Sequence, residues 1–141
     1  MFDDFHASRV LPGFKPDSKV NVLLQMKDQA EIVIVINAAD IEKNKQRGDL
    51  GITYDLDVLR LIDAFREIGL YVGSVVLARF AAQPAATAFE KRLGALGIKV
   101  YRHYSIPGYP SDIKTIVSDE GFGKNDYIET TRSLVVVTAP G

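Results

Sequence analysis

The residues best placed to do chemistry lie in SDEGFGKND, from Ser118 to Asp126, which puts Asp119 and Glu120 beside two glycines and Lys124. Following a strand, such a segment can turn its backbone N–H groups onto a phosphate, with the lysine neutralising charge and the carboxylates holding a metal–phosphate pair. Two standard fingerprints fail on it. The dinucleotide pattern needs a third glycine where Asp126 stands, and the Walker pattern needs four residues between its glycines and Ser or Thr after its lysine. A glycine-rich turn with a solvated lysine is the competing reading.

A second concentration of charge runs from Ala38 to Tyr54, 17 residues without clean periodicity that carry Asp40, Glu42, Lys43, Lys45, Arg47 and Asp49. Structureless connections longer than about 12 to 15 residues are uncommon and often serve as lids or binding loops. The alternative is that Asp40 to Gln46 forms a solvated helical turn.

Other chemistries are narrowed by what the chain contains. It has no cysteine, so disulfides, thiolate-bound zinc, iron–sulfur clusters and thiol nucleophiles are excluded. Its two histidines, His6 and His103, are too far apart in sequence for an HExxH zinc motif. His103 leaves a strand at an edge where a general acid or base would be useful, although a lone histidine more often serves as a packed or hydrogen-bonded tip. His6, in FHASR, reads as a capping or docking group. No G-x-S-x-G elbow occurs, so the sequence lends a serine hydrolase no support.

The elements that must position these groups follow from periodicity and flanks. Ile32 to Ile36 is wholly β-branched, which suits a strand buried on both faces. Ser18 can cap a helix over Lys19 to Gln29, with Val20, Leu23, Leu24 and Met26 as its apolar face. From Asp55 to Ile68, the residues Val58, Leu61, Ile62, Phe65 and Ile68 recur at helical spacing, with Asp55 as N-cap and Gly69 as C-terminal stop. Tyr71 to Ala78 reads as a strand. A helix opened by Pro84 and closed by Gly97 leads to a strand at Ile98 to His103. Thr115 to Ser118 and Leu134 to Thr138 read as two further strands.

Strands alternating with helices predict βαβ units with right-handed crossovers. The expected fold is therefore α/β: three layers, a mainly parallel sheet of about five strands with flanking helices, Rossmann-like. Residues 1–141 are read as a single domain, and the final strand LVVVTAPG, lacking a covering helix, predicts a chain cut short. In such sheets ligands bind beyond the carboxyl ends of the strands. The loops at that edge are expected to be Asn37 to Asp49, Arg79 to Gln83, His103 to Asp112 and Asp119 to Asn125.

Seventeen basic against eighteen acidic residues give a net charge of −1, so no global field favours nucleic acid or anionic membrane. No apolar run approaches the roughly 18 residues of a membrane span. The acidic start MFDDFHASR does not match a signal peptide, and the expected location is cytoplasmic.

The stretches FDDFHASRVLPGFKPDSK, DQAEIVIVINAADIEKNKQRGDLGITYDLDVLRLIDAFREIGLYVGSVV and VSDEGFGKNDYIETTRSLVVVTAPG closely resemble the DUF1846 (UPF0371) family of bacterial proteins, from Met1 to Gly141. Members of that family are several times longer and extend beyond both ends of the matching segment. Past the position of Gly141 they carry a Gly/Ser-rich turn ending in Gly-Lys that looks like a degenerate phosphate-binding loop, whose start matches Ala139, Pro140 and Gly141. Some members carry the label of ATP-dependent peptidase. The resemblance thus implies a fragment of a longer protein and strengthens a phosphate or nucleotide reading.

The expected function is accordingly a portion of a nucleotide- or phosphate-binding α/β domain in an ATP-dependent bacterial enzyme. Asp40, Arg47, Asp49, Asp119, Glu120, Lys124 and Gly141 would line its cleft, with a nucleotide and Mg²⁺ as the cofactors of the full-length protein. The alternative is a non-enzymatic binding or assembly domain. A small-molecule nucleotide or phosphate is the expected ligand, and whether the chain forms a homo-oligomer or is an enzyme is left open.

Overall fold

The unbroken β-branched run IVIVI can satisfy its backbone only between two other strands, and it becomes the buried centre of the sheet. The computed structural model describes residues 5–6, 20–27, 31–46, 54–80, 87–106, 108–122 and 132–139. In chain order the elements are β1 (Phe5–His6), β2 (Asn21–Gln25), β3 (Ile32–Asn37), α1 (Ala38–Gln46), α2 (Asp55–Glu67), β4 (Val72–Arg79), α3 (Ala88–Ala95), β5 (Lys99–Tyr104), α4 (Ile113–Asp119) and β6 (Ser133–Thr138). They build one sheet of order β1-β2-β6-β3-β4-β5. β3 runs parallel to both β4 and β6, and β4 parallel to β5, whereas on the β6 side β2 pairs antiparallel with β6 and β1 antiparallel with β2. The sheet is α/β and mostly parallel, but mixed.

The pleat divides the core in two. On one face Ile32, Ile34, Ile36, Val75, Leu77, Val135 and Val137 pack against Ile41 of α1, Val58, Leu61, Ile62 and Phe65 of α2, and Phe89 and Leu93 of α3. On the other, Val33, Val35, Val76, Ala78, Leu134 and Val136 meet Ile116 and Val117 of α4 and Phe122. Helices on both faces make three layers. Full burial of each large aliphatic side chain contributes about 1.5–3 kcal/mol, so this double cover is the main stabilising term.

One device ends three helices. Gly69, Gly97 and Gly121 all adopt positive φ near 80°. After α2, the N–H of Leu70 reaches the carbonyl of Phe65 and that of Gly69 reaches Arg66, and the same pair of bonds recurs as Ile98 to Leu93 with Gly97 to Gly94. This is the Schellman arrangement, which needs a residue in the left-handed region and so favours glycine. It turns the chain straight into β4 and β5, bearing out the helix, glycine, strand repeat.

Two expectations are overturned. Lys19 to Gln29 is not a helix: Asn21–Gln25 is β2, paired antiparallel with β6. The alternating set Val20, Val22 and Leu24 enters the core, and period two prevails over the looser helical spacing. Thr115 to Ser118 is not a strand: it lies within α4, whose N-cap Asp112 accepts the N–H of Thr115 at 2.8 Å. Ile113, Ile116 and Val117 then share the face that packs on the sheet.

Smaller differences have local causes. The connection after β3 begins with helix α1, matching the helical alternative for Asp40 to Gln46. Asp55 is the first residue of α2 and not its cap. Helix α3 is capped by Thr87, whose side chain accepts the N–H of Glu90 while Glu90 reaches back to Thr87, a capping box. Pro84 and Ser18 lie outside the described residues. No helix among the described residues is long and apolar enough to cross a membrane.

Candidate functional site at the carboxyl edge

Because β3, β4, β5 and β6 run parallel, their last residues share one edge. Asn37 ends β3, Arg79 ends β4, and Ala139 follows β6. Asn37 caps α1 by accepting the N–H of Asp40 on Oδ1 at 3.3 Å, and its Nδ2 donates to the carbonyl of Ser111 at 3.2 Å. The Asp40 carboxylate then reaches across to β6 and accepts the N–H of Ala139 at 3.2 Å. The side chains of α1's first turn therefore join the ends of the two central strands.

Arg79 occupies the same edge on the face covered by α1, α2 and α3. It is 7% exposed. Its Nη2 donates to the Tyr54 hydroxyl at 3.4 Å, while its buried Nε has no hydrogen-bond partner among the described residues. Tyr54 stacks edge-on against Phe89, ring centres 5.6 Å apart, and burial pushes its phenol up to about 12 despite the opposing charge of Arg79. A buried, incompletely satisfied guanidinium is costly unless something anionic or polar meets it.

The opposite face of this edge holds a polar network. His103 is buried on β5, and its Nε2 lies 3.1 Å from Ser111 Oγ. Its Nδ1 faces Glu120 Oε2 at 3.4 Å and Asp119 Oδ2 at 3.9 Å. Ser105 donates its hydroxyl to Ser111 Oγ at 3.1 Å and accepts the Ser111 N–H at 3.0 Å.

Of the seven residues picked from sequence, Asp40, Asp119 and Glu120 are described, and Arg47, Asp49, Lys124 and Gly141 lie outside the described residues. Asp40 stands at the carboxyl edge as expected. Asp119 and Glu120 do not follow a strand: they end α4, and both face His103. No hydrogen bond joins them to Asp40 among the described residues. Among the described residues no group of three metal-ligating side chains forms either, so Asp40, Asp119 and Glu120 do not make a shared Mg²⁺ set by themselves. Asn37, Arg79 and Ser111 lie within the loops expected from sequence at this edge, but the sequence does not single them out as site residues. A lone arginine closing the apolar strand VGSVVLA was the available signal for Arg79.

A groove of about 190 Å³ at the amino edge is lined by residues including Glu31, Lys99, Tyr101, Phe122 and Arg132, and among the described residues it includes neither Asp40 nor Asp119 nor Glu120. Two of its charges serve each other: Arg132 pairs with Glu31 at 3.6 Å and lies over the Phe122 ring at 5.2 Å.

The chain is similar to known proteins along its whole length. The family described as "Domain of unknown function DUF1846, N-terminal" matches residues 1–141. A UPF0371 protein of Streptococcus pneumoniae strain CGSP14 is 60% identical over 141 residues, covering 100% of this chain and 28% of that protein. A UPF0371 protein of Streptococcus thermophilus strain ATCC BAA-491 / LMD-9 shows the same identity and coverage. The chain thus spans 28% of the length of these curated relatives.

Proposed function

Because the chain belongs to the DUF1846 (UPF0371) family, whose names specify no activity, we propose that it forms part of a Rossmann-like unit binding phosphate or a nucleotide at the carboxyl edge. Arg79 is the observation that carries the reading. A guanidinium matches phosphate oxygens through paired N–H donors, and the Nε of Arg79 is a buried donor with no partner among the described residues. A phosphate oxygen meeting it would remove the desolvation cost it otherwise bears.

The topology supports the same place. Its parallel strands have the order β5-β4-β3-β6, in which β3 connects onward to one side while β6 returns on the other. Loops diverge at such a reversal, and ligands of open α/β sheets bind in the crevice it opens. Asp40 spans that reversal to Ala139. In the whole, longer protein, this unit would serve a nucleotide-dependent enzyme of the cytoplasm, with Arg47, Asp49, Lys124 and Gly141 as further cleft residues.

Calorimetric titration of ATP, ADP and inorganic phosphate into this chain and into the full-length pneumococcal relative tests the reading. Binding by this chain that weakens roughly ten- to a hundredfold in Arg79→Met is the expected result, since a charge-assisted hydrogen bond contributes about 1.5–3 kcal/mol. Binding by the relative alone would place the site in the rest of the family's length and overturn the assignment to Arg79. Silence in both proteins would overturn the nucleotide reading and favour a binding or assembly domain.

A further inference from the structure

After β5 the chain makes a turn that fixes one serine unusually well. The N–H of Ser105 continues the sheet by donating to the Arg79 carbonyl at 2.7 Å, and Gly108, at φ +81°, lets the chain fold back so that Ile106 and Tyr109 pair. Ser111 then returns beside Ser105 and is held from several sides: its N–H and Oγ by Ser105, its carbonyl by Asn37. Residues 101, 103 and 105 alternate along one face of the sheet, so the His103 ring lies next to this serine.

The hydrogens of this network are set by its donors. Carboxylates accept only, so with Glu120 and Asp119 facing Nδ1 the neutral ring carries its proton there, leaving Nε2 as an acceptor. The Ser105 hydroxyl occupies an acceptor position on Ser111 Oγ, and the Ser111 proton is directed to Nε2 at 3.1 Å. Nucleophile, base and orienting carboxylate are in order and within reach, the signature by which such relays are recognised irrespective of sequence position.

We propose that Ser111, His103 and Glu120 form an acyl-transfer site acting on carboxylic esters with an apolar acyl group. Ser111 and His103 are its catalytic residues; Glu120 is a positioning residue that acts through the imidazole. Ser111 is half-buried, and Ile106 and Tyr109, 71% and 74% exposed, offer the apolar surface beside it. Ser111 Oγ bonds to the acyl carbon as its proton passes to His103 Nε2. The ester C–O bond breaks, and that proton leaves with the alcohol. Water then attacks the acyl-serine, giving one proton to Nε2 and its hydroxyl to the acyl group. The acid departs, and the proton returns to Ser111. The proposal uses the face opposite Arg79 and does not depend on the phosphate reading.

The test is labelling of the 141-residue protein with an alkyl fluorophosphonate, located by peptide mass spectrometry, beside hydrolysis of p-nitrophenyl butyrate. A single adduct on Ser111 is expected, absent in Ser111→Ala and slowed at least a hundredfold in His103→Gln. Glu120→Gln should lower kcat with KM little changed, and Glu120→Asp should restore part of the loss, which a merely structural role would not produce. Circular dichroism establishes that each variant is folded. No adduct on the folded wild-type protein, an adduct on another residue, or labelling indifferent to His103→Gln in a folded variant would overturn the proposal.

Discussion

Asn37 and Ser111, 74 residues apart, are joined by a single hydrogen bond from Asn37 Nδ2 to the Ser111 carbonyl at 3.2 Å. The other end of the same amide caps α1 through the N–H of Asp40. One side chain at the end of β3 therefore sets both the helix that presents Asp40 and the turn that presents Ser111. An amide is suited to this because it both donates and accepts.

Asn37 is 6% exposed, and Asn37→Ala removes both bonds, leaving the part-buried Ser111 carbonyl and Asp40 N–H unmatched. Loss of about 1–3 kcal/mol is expected. Urea unfolding of the two proteins measures it. Asn37→Asp keeps the cap acceptor and loses the donor, so it should recover part of the loss. Equal midpoints and slopes for Asn37→Ala and wild type would show that neither bond matters to stability.

Legibility in the sequence followed the range of the forces involved. β3 was legible because five β-branched residues in a row have few other uses, and α2 because its apolar stripe and its terminal glycine agree. β2 was not, because what makes it a strand is β6, more than a hundred residues on: Val22 pairs with Val137 and Leu24 with Val135. Helix α4 is short and β-branched, so propensity pointed to a strand, and the Asp112 cap and the burial of Ile116 and Val117 decide it. The site inherits both limits. Asp40 could be placed from the strand before it, whereas the meeting of Glu120 with His103 depends on α4 being a helix.

The Asp112 cap carries a pH signature. The hydrogen bond from the Thr115 N–H holds its carboxyl below the ordinary value of 3.8. A carboxyl whose folded value is depressed contributes stability above its unfolded value and loses it as pH falls through the folded one. Asp112→Ala should therefore cost about 1 kcal/mol at neutral pH, with the gap to wild type closing in acid below pH 3.8. Asp112→Asn caps without titrating, and its gap to wild type should change over the same range. Thermal melts of the three proteins from neutral pH down through the acid range provide the comparison; a gap between Asp112→Ala and wild type that stays constant throughout refutes it.

Tyr54 carries the opposite sign. Burial raises its phenol from 10.0 to about 12, Arg79 pulling the other way and Asp55, Glu42 and Glu90 adding to the rise. The folded protein thus holds this proton more tightly than the unfolded chain. Any stability tied to it is complete below pH 10 and is lost as pH climbs toward 12. A rise of that size corresponds to roughly 2–3 kcal/mol across the window. The other five tyrosines and the lysines also titrate there, so the informative quantity is the difference in unfolding free energy between wild type and Tyr54→Phe. At neutral pH, where the phenol is un-ionised in both states, that difference includes the lost contact with Arg79 but no titration of Tyr54, and it should shift in favour of Tyr54→Phe as pH rises above 10. In the Arg79→Met background the change should be larger, because the cation that eases formation of the phenolate is gone. Parallel stability curves for wild type and Tyr54→Phe on either side of pH 10 would mean that Tyr54 does not resist ionisation, and that the pocket shared with Arg79 is wetter than its burial implies.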